Sequence, residues 1–494
     1  MKYICDICII GGGAAGLYCL NQLANTGLKI ILVEIGDKEH KDESFFNLDF
    51  NQLGNQTYKG SSEGRSFGLG GTSYLWGGSL LPFTRADFDK KDIYKNGFKS
   101  INKLFKEFNH EKLLTELLGK RPESKLFKNW KESEYNEIGF YEVNNVFIPF
   151  EKKDFSSKKI ANDVNVLCSH KLEDFNLTSN IKNGKYDVET IICRDLKNNQ
   201  LVSIESKNIF LCAGALESTF IISKLINNNF SKLIDRKEPI KYFFNDHLSN
   251  PIIRILSSGK FKLEGKANKS IEGGLIYGNR YIFEDSLTRS FFHFTADTQN
   301  SKGFNSLREL GYSIQQRRLP SLSKVASINS LTGLLDYSKQ RFLEKKLFIP
   351  SDAQLFLSYD FETPFSEDRY LQFEHQSNKR FIKWGLNNFE AESIRNNAKK
   401  DGEKILYHFG LKPREDFEFL DQDFWNPYDV YHPCGSLYRN DESLVSYPDL
   451  KFNLTNNLYV FSTASLPSAG TANPTYSLLM IIKNTVNYLY SKTF

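Results

Sequence analysis

Three glycines near the N-terminus have the spacing of a turn that binds a dinucleotide. Residues 11–16 read GGGAAG, so Gly11, Gly13 and Gly16 form the pattern G-x-G-x-x-G. In such a turn the glycines allow a tight bend, close approach of the backbone to a pyrophosphate and close packing of a helix on a strand. A carboxylate about 20 residues further on, here Glu34, accepts hydrogen bonds from the ribose. We therefore predict a dinucleotide site that comprises Gly11, Gly13, Ala14, Ala15, Gly16 and Glu34.

The segments that flank this motif predict the strand–helix–strand unit that such a turn requires. Residues 3–10 are apolar and β-prone, a helical periodicity follows the glycines, and residues 28–34 form a second apolar run. Strands with almost continuous apolar residues are typical of a parallel sheet that is covered on both faces. The pattern does not decide between FAD and NAD, although its position at the N-terminus favours FAD. No second fingerprint of this kind follows a strand, which argues against an enzyme that carries both FAD and NAD(P)H.

Strand and helix patterns return at intervals along the rest of the chain. Further strands are predicted at 164–167, 188–193, 208–214, 354–359 and 457–461, and further helices at 216–226, 390–408 and 475–490. These patterns indicate that the first domain is assembled from separated pieces of the chain, with a second domain inserted between them.

A second group of glycines extends from residue 64 to residue 78. Six of these fifteen residues are glycines, which is too many for a helix or a sheet strand. Such a segment is either a flexible loop or backbone that is wrapped closely against a flat ligand. Two further motifs lie near the C-terminus, where residues 432–436 read HPCGS and residues 472–475 read ANPT.

Together and in this order, these segments resemble the glucose–methanol–choline (GMC) oxidoreductase family, whose members bind FAD and oxidise alcohols. Residues 68–78 resemble the G-G-[ST]-S segment of the family, residues 432–436 its H-P-x-G-T motif and residues 472–475 its A-N-P-T turn. Two more matches are A-G-A-x-x-[ST] at 213–218 and D-H-x-x-x-P at 246–251.

The resemblance implies an α/β fold in which an FAD-binding Rossmann-like domain is interleaved with an α+β substrate domain built on a mostly antiparallel sheet. The match covers the FAD-binding pieces and is loose in residues 91–154 and most of 251–424, where the substrate would be selected. We therefore predict that the FAD-binding domain comprises residues 1–90, 155–250 and 425–494, and that the substrate-binding domain comprises residues 91–154 and 251–424.

The resemblance also assigns roles to individual residues. His432 would accept the hydroxyl proton of an alcohol while the flavin accepts a hydride at N5, and a histidine suits this role because its pKa is ordinarily about 6.5. Asn473 would hold the same hydroxyl by a hydrogen bond. The further residues that the resemblance places against FAD are Gly70, Gly71, Thr72, Ser73, Trp76, Gly77, Gly78, Ala213, Gly214, Ser462, Thr463, Asn473, Pro474 and Thr475.

Departures from the family pattern bear on the cofactor and on the other histidines. The FAD-linking histidine of some sugar oxidases has no counterpart between Thr72 and Trp76, so we expect FAD to be bound non-covalently. His247 is interpreted as a structural residue in a turn near the domain junction, and His293 as part of a packed strand. No cluster of His, Cys, Asp and Glu has the spacing of metal ligands, so no metal is expected.

Composition argues against several other classes of protein. The 64 Lys and Arg exceed the 59 Asp and Glu by a net charge of only +5 in 494 residues, and no block of like charges suggests a nucleic-acid partner. No run approaches the roughly 20 apolar residues of a membrane span, and no secretory signal is recognised. The seven cysteines show no regular spacing and fit a reducing compartment, so a cytoplasmic location is expected.

These observations predict an FAD-dependent oxidoreductase that oxidises the CH–OH group of a small alcohol or sugar derivative, with oxygen or another compound as electron acceptor. One alternative is a flavin monooxygenase or an NAD(P)H-fed reductase, in which a reduced nicotinamide alone would bleach the flavin. Another is a non-catalytic FAD-binding module, which would bind FAD and turn over no alcohol.

Overall fold

The computed structural model describes residues 1–491 except for residues 25, 159, 161–163, 179–180, 182–183, 231–239, 264–268, 285, 299–300, 302–303, 306–334, 348, 351 and 440–441. Part of the predicted substrate-binding domain, residues 306–334, therefore lies outside the described residues. The strands and helices that the sequence predicts are all present, although the strand predicted at 208–214 begins earlier and spans Leu201–Leu211.

In chain order the strands are β1 (Lys2–Ile10), β2 (Ile30–Val33), β3 (Asn51–Leu53), β4 (Ser79–Leu80), β5 (Phe140–Phe147), β6 (Val164–Leu167), β7 (His170–Leu177), β8 (Val188–Asp195), β9 (Leu201–Leu211), β10 (Tyr242–Phe243), β11 (His247–Ile255), β12 (Ser270–Glu272), β13 (Leu275–Phe283), β14 (Ser290–Asp297), β15 (Gln354–Glu362), β16 (Tyr370–Glu374), β17 (Lys379–Lys383), β18 (Phe417–Phe419), β19 (Tyr428–Asp429), β20 (Tyr438–Arg439), β21 (Glu442–Ser443) and β22 (Leu458–Val460). The α-helices of the described residues are α1 (Ala14–Leu23), α2 (Arg85–Asp89), α3 (Lys95–Glu107), α4 (His110–Leu118), α5 (Ser124–Glu132), α6 (Phe150–Lys153), α7 (Gly214–Asn229), α8 (Ser257–Lys262), α9 (Asn388–His408) and α10 (Pro474–Ser491).

The first sheet contains the predicted strand–helix–strand unit. Its order is β6-β2-β1-β9-β8-β7, and β22 also pairs with β9. Strands β6, β2, β1, β9 and β22 run parallel, whereas β8 and β7 are antiparallel to their neighbours. The last four residues of β1 are buried, as expected for a parallel strand covered on both faces, and α1 packs against α10.

The second sheet matches the mostly antiparallel sheet that the resemblance implies. Its order is β18-β11-β15-β14-β13-β5-β4, with β12 added to β13 and β19 added to β11. Every pairing described in this sheet is antiparallel. Helix α9 packs on β11.

A smaller third sheet joins distant parts of the chain. Its order is β10-β16-β17-β3, and β3 runs parallel to β17. This pairing brings the segment before the second glycine group next to residues 379–383. No helix among the described residues is both long and apolar enough to cross a membrane.

Candidate active site

The glycine turn after β1 has the geometry that its sequence predicts. Gly11 adopts a φ of +104°, and a Cβ placed on it would lie 2.5 Å from the carbonyl oxygen of Cys212. A Cβ on Gly16 would lie 1.9 Å from the carbonyl oxygen of Gly11, so α1 approaches the strand only because this residue has no side chain. A Cβ on Gly13 would meet no atom within 4 Å and would point into open space. The turn is therefore closed towards the sheet and open towards a ligand.

Glu34 follows β2 and is buried beside this turn. Its Oε2 accepts a hydrogen bond from the Gly12 amide at 2.7 Å, and its Oε1 accepts one from the Gly36 amide at 2.9 Å. Burial raises the pKa of Glu34 although these amides oppose the shift. The Gly68 amide also stabilises this carboxylate, which can accept about four hydrogen bonds in all, so an acceptor position remains for a ribose hydroxyl.

One cavity joins this turn to the C-terminal motifs. Of the residues predicted from the sequence, those that line it are Gly11, Gly13, Ala14, Ala15, Glu34, Gly71, Thr72, Ala213, Gly214, His432, Ser462, Thr463, Pro474 and Thr475. Two helices begin at this cavity, α1 at Ala14 and α10 at Pro474. The amides of a first helical turn have no partner within the helix, so both helices can donate hydrogen bonds to a negatively charged group.

The remaining predicted residues lie outside the cavity lining, and these are Gly16, Gly70, Ser73, Trp76, Gly77, Gly78 and Asn473. The Gly70 amide donates to the Gly12 carbonyl at 2.8 Å. The Ser73 hydroxyl oxygen accepts a hydrogen bond from the Phe155 amide, and the Trp76 indole N–H donates one to the Lys153 carbonyl. Gly70 therefore joins this segment to the dinucleotide turn, and Ser73 and Trp76 join it to residues 153–155, while residues 64–68, 71 and 72 of the same group line the cavity.

Three charged residues that the sequence analysis did not single out also line the cavity. Glu217 forms ion pairs with both Arg65 and Arg380, and the three side chains are 12%, 9% and 1% exposed. Burial raises the pKa of Glu217, but the two guanidinium groups outweigh it and hold that pKa below its usual range. The pairs join residues 152 and 163 positions apart, so no local motif could have indicated them.

His432 is held at the cavity by a strained and closely packed segment. Tyr431, directly before it, adopts a φ of +65°, a left-handed conformation that is uncommon for a residue other than glycine. Gly435 has a φ of +79°, and a Cβ there would lie 2.8 Å from the carbonyl oxygen of Pro467. The glycine of the HPCGS motif therefore lets this segment lie against the backbone that leads to Asn473.

The structure brings His432 and Asn473 together. The Nε2 atom of His432 lies 3.3 Å from the Nδ2 atom of Asn473, although 41 residues separate them in the chain. Asn473 directly precedes Pro474, which occupies the first position of α10, where its missing amide hydrogen is not needed. Asn473 does not line the cavity itself but contacts His432, which does.

The Asp246–His247 turn lies directly behind this pair. Oδ1 of Asp246 accepts the backbone amides of His247 and His432, each at 2.6 Å, and Oδ2 accepts the Tyr58 hydroxyl at 2.5 Å. The ring of His247 places its Nδ1 3.3 Å from Nδ1 of His432 and its Nε2 2.6 Å from the Gly470 carbonyl oxygen. His247 lies in the expected turn, and its ring also contacts His432, the candidate base, which the sequence did not indicate.

Asp246, His247 and His432 are also the group among the described residues whose ligand atoms lie close enough together to hold a metal ion, all within 4.8 Å. The Asp246 carboxylate, however, already accepts three hydrogen bonds. A single proton between the two facing ring nitrogens satisfies both imidazoles. The geometry therefore favours a hydrogen-bond network over a metal centre.

The surroundings of His432 keep it neutral. Burial and, to a smaller extent, the neighbouring His247 lower the pKa of His432 to about 3, while Asp360 opposes the shift. Burial likewise lowers the pKa of His247 to about 4. Both rings are therefore uncharged at neutral pH and each carries a proton on one ring nitrogen only, so His432 has a lone pair available to accept a proton.

Two solved structures share this fold over nearly the whole chain. One is the pyridoxine 4-oxidase of Mesorbium loti, which is 13% identical, with 99% of each chain covered and a TM-score of 0.56. The other is an arginine-to-alanine variant of the formate oxidase of Aspergillus oryzae RIB40, which is 11% identical, with 99% of this chain and 98% of that chain covered and a TM-score of 0.56. Both are GMC oxidoreductases, so the fold that the sequence resemblance implies is confirmed. No protein-family model and no curated protein matches the chain.

Proposed function

We propose that this protein is an FAD-dependent oxidoreductase that removes a proton and a hydride from the CH–OH group of a small alcohol or sugar derivative. The observation that supports this most is the 3.3 Å contact between His432 and Asn473 beside the same cavity that the dinucleotide turn lines. The predicted division into an FAD-binding domain (1–90, 155–250 and 425–494) and a substrate-binding domain (91–154 and 251–424) is part of this proposal.

The residues of the cavity fit FAD. The open side of Gly13 admits a pyrophosphate, the helix termini at Ala14 and Thr475 offer amides to negative charge, and Glu34 offers oxygens to a ribose. When bound, FAD supplies the hydride acceptor. We propose non-covalent binding, because residues 72–76 contain no histidine that could form a link. Release of the flavin on acid denaturation would support this, and flavin that stays with the precipitated protein would contradict it.

The protein supplies a base and a hydrogen-bond donor for the alcohol. His432 accepts the hydroxyl proton at Nε2, and the Nδ1 side of its ring is supported by His247. Asn473 donates a hydrogen bond to the substrate oxygen and thereby fixes the direction of the reacting C–H bond. Proton transfer by a positioned group contributes about 100- to 10,000-fold to a rate, and holding the reactants in place contributes several kcal/mol more.

The names of the two similar proteins suggest the first compounds to test. Pyridoxine carries primary alcohol groups, and the Mesorbium loti protein is a pyridoxine 4-oxidase. Because both similar proteins are oxidases, oxygen is the first electron acceptor to examine. Simple alcohols, sugars and sugar derivatives complete the panel.

The test is anaerobic bleaching of the bound flavin. We expect at least one compound of the panel to bleach the wild-type protein and His432→Ala nearly to abolish bleaching while FAD stays bound. His408→Ala, at the exposed C-terminal end of α9, is the matched control and should bleach normally. Bleaching by NADPH alone would favour a reductase or monooxygenase, and FAD binding without bleaching by any alcohol would favour a binding module.

A further inference from the structure

A buried arginine from the second sheet reaches the candidate catalytic pair. Arg280 projects from β13, is 7% exposed, and donates through its Nη2 to the Asn473 Oδ1 at 2.5 Å and to the Ser79 Oγ at 3.1 Å. Its guanidinium carbon lies 4.0 Å from the centre of the Phe291 ring. Among the described residues, no carboxylate forms an ion pair with it, and its Nη1 has no hydrogen-bond partner. A buried cation without a paired anion is costly, so its position needs a reason beyond packing.

The hydrogen-bond chain that starts at Arg280 has only one possible direction. An arginine can only donate, so Asn473 must turn its oxygen towards Arg280 and its NH₂ group towards His432. His432 Nε2 must then accept. At the other end the Gly470 carbonyl can only accept, so His247 donates from Nε2 and accepts at Nδ1, which requires His432 to donate from its Nδ1. Both ends therefore assign the same tautomer to His432, with the proton on Nδ1 and the lone pair on Nε2.

We propose that Arg280 is a positioning residue for the oxidation, because it fixes the orientation of the Asn473 amide, which then presents an N–H to the Nε2 lone pair of His432 and supports the tautomer in which His432 acts as a base. This inference rests on the proposed function for its catalytic meaning, whereas the tautomer itself is a property of the protein alone. With the Arg280 side chain in place, Asn473 keeps a second amide hydrogen for the substrate oxygen.

The positive charge of Arg280 also favours the neutral form of His432. The titratable and charged groups that act on the His432 ring are His247, Asp360 and Arg280, and the Asp246 carboxylate accepts the His432 backbone amide. Asp360 is already engaged by Ser249 and by His293, whose Nε2 lies 3.3 Å from it. Burial lowers the pKa of Arg280 to about 10, which leaves it charged at neutral pH. A fixed positive charge next to the site disfavours a protonated resting His432 and favours negative charge on a substrate oxygen that loses its proton.

A purely structural role for Arg280 would leave these properties unchanged, so they can be tested. In holoprotein labelled with ¹⁵N-histidine, the resonances of His432 are assigned by comparison with His432→Ala. We expect the wild-type ring to be protonated at Nδ1 only, and Arg280→Met to move the His432 titration to higher pH, with the Nδ1 tautomer then held only through His247 and the Gly470 carbonyl. Arg280→Lys keeps the charge and should move the titration less. Arg254→Met is the matched control, since Arg254 lies on β11 of the same sheet and pairs at the surface with Glu418.

A second variant tests the donor–acceptor direction of the hydrogen bonds from Arg280 to His432 even if Arg280→Met fails to fold. Asn473→Asp has nearly the same shape but offers only acceptor oxygens to His432 when it is ionised. We expect it to shift the proton of His432 to Nε2 and to slow flavin bleaching on the order of 100-fold while FAD stays bound. An unchanged His432 titration in Arg280→Met, or an unchanged tautomer and titration in Asn473→Asp, would overturn the inference. Failure of the proposed function shows itself differently, as a wild-type protein that no alcohol bleaches.

Discussion

Asp246 binds the backbone amide of His432 through its Oδ1 at 2.6 Å, and the same oxygen binds the amide of His247 at the same distance. One buried carboxylate therefore fixes the two histidines whose rings face each other. The Tyr58 hydroxyl completes its coordination on the other oxygen. The position of His432, the candidate base, therefore depends on the Asp246 carboxylate that holds its backbone amide.

The pKa of Asp246 predicts a specific dependence of stability on pH. Burial raises this pKa from 3.8 to about 8. The unfolded chain ionises this group at lower pH than the folded protein does. The contribution of Asp246 to the free energy of unfolding therefore falls as the pH rises from about 4 to about 8. Asn resembles the neutral acid and can still accept both amides. We therefore expect Asp246→Asn to flatten the pH dependence of the unfolding free energy across this range, relative to wild type.

Asp246→Ala is the companion variant. It leaves two buried amides without an acceptor and should cost about 1–3 kcal/mol for each. Denaturant unfolding at several pH values measures both effects. Equal pH slopes for wild type and Asp246→Asn would show that this carboxylate does not titrate as described.

Two glycines of the dinucleotide turn should respond differently to alanine. The Cβ of Gly16→Ala would collide with the Gly11 carbonyl, so we expect lower thermal stability of the protein without cofactor. The Cβ of Gly13→Ala would enter open space on the cavity side, so we expect unchanged stability without cofactor and weaker FAD binding. Thermal unfolding and FAD titration of the two variants check this. Equal FAD affinity in Gly13→Ala and wild type would remove the turn from the cofactor site.

The ion pairs of Glu217 should be important for stability. Removing a buried partner leaves uncompensated charge, so Glu217→Ala should lower the unfolding free energy by about 3–5 kcal/mol because Arg65 and Arg380 remain buried. Glu418→Ala removes the partly exposed pair with Arg254 and should cost less than about 1 kcal/mol. Denaturant unfolding compares the two. Similar small losses would show that the cluster is not needed for the fold.

Local sequence patterns predicted what depends on local geometry. The turn at Gly11, the strands on either side of it and Glu34 could be predicted because glycine spacing and apolar periodicity act within a few residues. The contact between His432 and Asn473 was anticipated only through the family resemblance. Trp76 donates its indole N–H to the Lys153 carbonyl, and its contact with FAD, which the resemblance implies, stays a prediction.

Arg280 shows what such patterns could not predict. It joins Asn473 across 193 residues of chain, and nothing in its neighbourhood on β13 distinguishes it from an ordinary polar residue of a strand. The pairing of β13 with β5 and β14 places it over the C-terminal motifs, and strand pairing over such distances is a property of the whole fold. The same reasoning applies to His247, whose ring direction depends on the Gly470 carbonyl.

The most direct test of the central claim is the rate at which alcohols reduce the bound flavin in the absence of oxygen, measured by rapid mixing with compounds that carry hydrogen or deuterium on the carbinol carbon. We expect the wild-type protein to be reduced by at least one such compound, more slowly with deuterium, and His432→Ala to be reduced on the order of 100-fold more slowly. Reduction at the wild-type rate in His432→Ala, or no isotope effect on flavin reduction in either protein, would contradict a base and hydride mechanism at this site.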